Sequence, residues 1–216
     1  MSGGASTGFL VGMQAEARLL RPLGAGILVE VSGVAVEGAR EAVSRLIRAG
    51  ARRLVSFGLA AGLDPAAQAG DVLVPSRIVA GGRDYLPDLS LCARLGGITP
   101  GGLLHSDHVV CTADEKRALH AMTGCVALDM ESGVVAQAAQ AAGLPFAVLR
   151  AICDPAERDL PQAAGVALKP DGRLALPAIL LSLLRGPTQV PGMLALARDA
   201  AAARRALAAR IPLIRL

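Results

Sequence analysis

Aromatic side chains are nearly missing from this chain: 216 residues include one Tyr, three Phe and no Trp. Proteins that grip single-stranded nucleic acid stack bases on aromatic faces, so nucleic acid is a poor fit as a partner despite a formal charge of +4. Lysine is scarce too. Lys116 and Lys169 are the only two, and the rest of the positive charge is arginine, which reads first as compositional bias. The four cysteines, Cys92, Cys111, Cys125 and Cys153, form no Cys-x-x-Cys pair. Three are expected in or beside apolar strands, where a thiol acts as a small hydrophobe, and a reduced cytoplasm is implied. No apolar run is long enough to cross a bilayer, since the longest, near Leu174 to Leu184, contains Pro177. The start, Met-Ser-Gly-Gly-Ala-Ser-Thr-Gly, lacks the basic and apolar regions of a secretory signal, which again points to the cytoplasm.

What is abundant is small and apolar: 53% of residues are hydrophobic, so the core is built from Ala, Leu and Val. A length of 216 residues fits one domain spanning 1–216, with C-terminal helices over 172–210 packed on it. The most informative stretch is 124–161. It reads as an apolar strand from Cys125 to Leu128, an alanine-rich helix from Ser132 to Ala142, a stop at Gly143, and a second apolar strand from Phe146 to Ile152. Continuous apolar strands belong to a sheet covered on both faces. Each ends in acids, Asp129 and Glu131 after the first and Asp154 after the second. Ligands of open α/β sheets sit beyond the carboxyl ends of strands, although acids there also serve simply as helix caps.

Elsewhere the pattern predicts strands at Phe9 to Gly12, Gly26 to Gly33, Arg52 to Phe57, Gly70 to Pro75 and Leu103 to Cys111. Helices are expected over Met13 to Leu20, Gly38 to Ala49, Asp114 to Ala121 with Thr112 as cap, Gly172 to Leu184 and Met193 to Ala209. Arg77, Arg83 and Asp84 fall in a short polar segment, and Cys92 to Pro100 reads as loop. His105 and His108 lack a third donor, so no metal site is expected. The arginine-rich final helix suits either a solvated basic face or contact with an anionic membrane surface.

Two separated motifs, Asp129-Met130-Glu131 and Arg150-Ala151-Ile152-Cys153-Asp154, recur here in an order that resembles the nucleoside phosphorylase and nucleosidase superfamily. Gly58-Leu59-Ala60-Ala61-Gly62-Leu63 followed by Gly70-Asp71-Val72 resembles its glycine-rich block, with Leu59 and Ala61 replacing a usual hydroxyl residue and a Gly. Over the full length, including Gly-Met-Gln-Ala-Glu-Ala-Arg and the 154–161 segment, the chain looks most like the hopanoid-associated phosphorylase subgroup.

That resemblance implies an α/β, three-layer αβα sandwich around a central mixed sheet. It implies cleavage of the N-glycosidic bond of a 5′-substituted adenosine, adenosylhopane above all, with methylthioadenosine or adenosylhomocysteine as the other enzymatic reading. A non-catalytic nucleoside-binding protein of the same fold is the third. Asp154 would give or share a proton with the base, Glu16 would activate water, and Arg150 would organise the nucleophile, tune the acids or simply pair with a buried acid. Glu131 would accept from ribose hydroxyls, with Met130 and Asp129 beside the sugar. Ala60 and Gly62 would admit ribose and nucleophile, and Val109 and Val110 would wall the base. No cofactor is implied. Arg18, Arg83 and Arg150 leave phosphate open as co-substrate, and the partners implied are a purine nucleoside, lipid-linked or not, and further copies of the chain.

Overall fold

The computed structural model describes residues 6–33, 35–165, 175, 181–182 and 185–216. Its order is β1 (Thr7–Val11), α1 (Gln14–Leu19), β2 (Ile27–Val31), α2 (Val36–Arg48), β3 (Arg53–Gly62), β4 (Val72–Leu73), β5 (Pro75–Ala80) and β6 (Arg83–Tyr85). There follow α3 (Leu89–Arg94), β7 (Thr99–His105), α4 (Ala113–Thr123), β8 (Cys125–Asp129), α5 (Ser132–Ala142), β9 (Phe146–Asp154), the single turn α6 (Gln162–Gly165) and α7 (Val190–Arg210). The helix expected over Gly172 to Leu184 falls almost wholly outside the described residues.

The strands form one mixed sheet in the order β2-β1-β3-β8-β7-β5-β6, and β9 pairs with β3 and β4. β3 is the organising strand. Its first half lies parallel to β1 on one side and β9 on the other, while Ala61 and Gly62 turn away to pair antiparallel with β8. This brings the carboxyl ends of β1, β3, β8 and β9 to one place.

Side chains alternate along β9, and that alternation builds two cores. Val148 and Ile152 pack with Ala39, Val43 and Leu46 of α2 and with Val134, Val135 and Ala139 of α5. Leu149 and Ala151 face the opposite layer, with Leu91 of α3 and Ala203 and Leu207 of α7. Fully burying each Leu or Val contributes roughly 1.5–3 kcal/mol, so both layers hold the sheet firmly. The result is the expected three-layer α/β sandwich.

Four readings of the sequence need correction. The loop expected over 92–100 is only residues 95–98: Asp88 accepts the Leu91 amide at 2.7 Å and starts α3, which runs to Arg94, and β7 already begins at Thr99. The strand expected to reach Cys111 stops at His105, where the Ser106 hydroxyl donates to the His108 carbonyl at 2.7 Å and bends the chain out. The strand expected to end at Phe57 runs on to Gly62. The polar segment at 77–84 is a hairpin, β5 to β6, turned by Gly81 and Gly82 at φ +57° and +70°. That turn demands glycine, and Gly-Gly is a recognised hairpin signal.

Candidate functional site

Arg150 is the centre of the site. It is 1% exposed on β9, among the largest fully buried side chains of the chain. A guanidinium there needs partners for its donors, and it has them. Nε lies 2.6 Å from Asp129 Oδ2 and Nη2 lies 2.9 Å from Glu131 Oε2. Nη2 also donates to Ser56 Oγ at 2.6 Å, and Nη1 donates to the Leu59 carbonyl at 3.2 Å.

The acids come from neighbouring strand ends. Asp129 closes β8 and also caps α5: its Oδ1 accepts the Ser132 amide at 3.0 Å, and its Oδ2 accepts the Ser132 hydroxyl. Glu16 stands 2% exposed in α1, accepting the Met13 amide at 2.8 Å and the Leu59 amide at 2.9 Å. It meets Glu131 across Gly12, where a β-carbon would lie 3.0 Å from Glu131 Oε1 and 3.6 Å from Glu16 Oε2. Gly58 allows the approach from β3. Its φ is +153°, and a β-carbon there would lie 2.5 Å from Glu16 Oε1 and 2.7 Å from Arg150 Nη1.

One cation among three buried carboxylates leaves an excess of negative charge. Burial pushes the Glu131 carboxyl up to about 7, opposed by Arg150 and reinforced by Asp129 and Glu16. Burial also raises Glu16, with Arg150 and the Leu59, Met13 and Gly12 amides pulling it back. A carboxyl raised in the folded state binds more protons folded than unfolded between its two values, so stability falls as pH rises from 4.5 to about 7. Glu131→Gln should remove at most about 3 kcal/mol of that decline. Urea midpoints measured between pH 4.5 and 7.5 check this, and parallel curves for wild type and variant would refute it.

Beside this cluster lies a cavity of about 180 Å³, lined by Leu59, Ala60, Ala61, Val109, Val110, Leu128, Asp129, Met130, Glu131, Cys153 and Leu160. Its wall is mostly apolar. Pockets for small molecules ordinarily begin at roughly 300 Å³, so a whole nucleoside needs the wall to give.

Of the residues expected from sequence, Ala60, Val109, Val110, Asp129, Met130 and Glu131 line the cavity. Glu16 and Arg150 stand behind Leu59, bonded to its backbone. Gly62 and Asp154 do not line the cavity. A β-carbon on Gly62 would meet the Ala156 amide at 3.4 Å. Asp154 is 4% exposed, and its Oδ2 lies 2.6 Å from Lys116 Nζ. Its neighbour Cys153 is on the wall instead, and burial pushes that thiol up to about 12. Arg18 and Arg83 are exposed and away from the cavity. Sequence reasoning missed Leu128, Leu160, Ser56, Ser132 and Lys116. For Lys116 a signal existed: a rare lysine retained amid arginines.

His105 and His108 have separate carboxylate neighbours, Asp107 and Glu115, each at 3.3 Å. Among the described residues no group of three or more His, Cys, Asp or Glu could hold a metal ion, and no helix is long and apolar enough to cross a membrane.

Residues 101–173 match the sequence profile described as the Phosphorylase superfamily. No protein of curated function matches the chain. Among solved structures, the S-adenosylhomocysteine nucleosidase of Streptococcus pyogenes, in complex with 5-methylthiotubericidin, superposes with a TM-score of 0.69 at 18% identity over 99% of both chains. The 5′-methylthioadenosine/S-adenosylhomocysteine nucleosidase of Neisseria meningitidis gives 0.68 at 18% identity, over 96% of this chain and 99% of that one. Futalosine hydrolase of Helicobacter pylori gives 0.67 at 18%, over 96% of this chain and 97% of that one. At such identities the shared property is the fold.

Proposed function

We propose that this chain, whose residues 101–173 match the profile described as the Phosphorylase superfamily, cleaves the N-glycosidic bond of a purine nucleoside. One observation carries the reading: Arg150 gathers Asp129 and Glu131 against Glu16 at one end of an apolar cavity at the carboxyl ends of the strands. Fold likeness alone would not carry it, because one fold hosts many chemistries.

Cleavage of such a bond passes through an oxocarbenium-like sugar, so the site must ease the base away and hold the ribose while charge develops. In this reading the base lies against Val109, Val110, Cys153 and Leu160, close to Asp154, which gives or shares the proton at N7. The ribose lies on Met130, with its hydroxyls donating to Glu131. Glu16 takes a proton from water, whose oxygen bonds to C1′ as the bond to the base breaks. Burial raises the Glu16 carboxyl, which makes its ionised form the stronger base. Water is favoured over phosphate because the donors of the Arg150 fork are already engaged by Asp129, Glu131, Ser56 and Leu59.

The finer reading is an adenosine substituted at C5′, with a hopane-type lipid as the substituent the motif resemblance favours. The apolar lining suits such a group without identifying it. A panel of adenosylhopane, methylthioadenosine and adenosylhomocysteine, each followed by free adenine, tests this. The lipid-substituted nucleoside should give the highest kcat/KM. Preference for either thioether nucleoside would replace the finer reading and keep the coarser one.

A further inference from the structure

Among the described residues, Lys116 is the fully buried cation that the chemistry above leaves unused. It lies on α4, 0% exposed, and its ammonium has three donors, all of them engaged. Asp154 Oδ2 is at 2.6 Å, the Pro155 carbonyl at 3.1 Å and the Arg158 carbonyl at 2.9 Å. The same segment is fastened by the Ala113 amide to Asp159 Oδ1 at 2.7 Å and by the Leu160 amide to the Cys111 carbonyl at 2.7 Å. Arg158 reaches Asp199 of α7 at 2.6 Å. Leu160, at the end of this strap, is a wall of the cavity, as is Cys153 on the other side of Asp154.

Packing alone does not explain a lysine here. Taking two charges out of water is costly, and an apolar pair of similar volume would often serve stability as well or better. What an apolar pair would not do is fix the direction of the Asp154 carboxyl while holding the backbone of Pro155 and Arg158. We propose that Lys116 is the positioning residue for Asp154, holding Oδ2 of its carboxyl and fastening it to the segment that walls the base end of the cavity. This rests on the nucleosidase reading, in which Asp154 meets the departing base. Lys116 touches no substrate. It holds Oδ2 and leaves Oδ1 as the oxygen for the base.

The charged and titratable groups facing Asp154 are Lys116 from α4, Arg158 from the strap, Asp199 from α7 and Cys153 from its own strand. Burial is the largest influence and raises the carboxyl, Lys116 and Arg158 pull it down, and Asp199 pushes it up. Removing Lys116 therefore leaves Asp154 protonated to higher pH.

Lys116→Met and Lys116→Arg test the assignment by carboxyl carbon NMR, with Asp154 identified through its loss in Asp154→Asn. The Asp154 midpoint should move up by about one pH unit or more in Lys116→Met and stay near the wild-type value in Lys116→Arg. The limb of the kcat/KM profile that Asp154→Asn abolishes should move with it. A merely structural lysine would lower stability and leave that limb in place, and an unmoved midpoint overturns the proposal. Should Lys116→Met fail to fold, the double variant with Asp154→Asn, which removes both charges, is expected to fold. A double variant as unstable as the single one overturns the proposal equally. A wild type that releases no purine sinks the functional reading and leaves the titration to decide the role of Lys116. An active wild type with an unmoved midpoint sinks the Lys116 assignment alone.

Discussion

Arg150→Ala should lower the free energy of unfolding by about 3–5 kcal/mol, the range for removing one partner from a buried ion pair. A domain has only about 5–15 kcal/mol in total, so the variant should be partly unfolded at physiological temperature. The cause is electrostatic. Asp129, Glu131 and Glu16 would be left buried without their shared cation, and the Ser56 hydroxyl and the Leu59 carbonyl would lose a donor. Raised carboxyls take up protons, so the loss should be smaller at pH 5 than at pH 7.5. Arg150→Lys keeps the charge but not the fork, and should recover only part of the loss. Urea unfolding of the three proteins at the two pH values measures this, and a loss below about 1 kcal/mol for Arg150→Ala would mean that the cluster is held by something else.

Glu16→Gln should lower kcat by about 10²–10⁴-fold, the span usual for a general base, with KM changed little. The substitution is chosen because the amide oxygen can still accept from the Leu59 or the Met13 backbone. Glu16 also serves the start of its own helix, since the Met13 amide donates to it at 2.8 Å. Steady-state kinetics separate the two roles. A variant with full turnover and reduced stability would leave Glu16 as a cap only.

The sheet and its helices were legible in the sequence wherever one rule governed a segment. α5 was read to the residue because Ser132 to Ala142 is a run of small helix formers stopped by Gly143, which takes φ +63°. β9 was read from an apolar run interrupted only by Arg150, with the acid that marked the site, Asp154, just beyond it. Misread segments were those decided by a single polar contact, such as Asp88 capping α3 or Ser106 ending β7. The family resemblance implied that Glu16, Glu131 and Asp154 converge, and of these Glu16 and Glu131 meet beside Arg150. The position of Asp154 off the cavity was not anticipated: its carboxyl pairs with Lys116, 38 positions earlier in the chain. No periodicity links those two residues. Only the folded sheet, with α4 laid against the end of β9, brings them to 2.6 Å.

The Arg150 cluster is proposed to break a purine nucleoside at C1′, and product release measures that claim most directly. Wild-type protein incubated with 5′-substituted adenosines in phosphate-free buffer should liberate adenine and free sugar in equal amounts, and Glu16→Gln should liberate neither at a comparable rate. Adenine freed only when phosphate is added would move the nucleophile from water to phosphate. No adenine from any of them, with phosphate or without it, would contradict the claim itself.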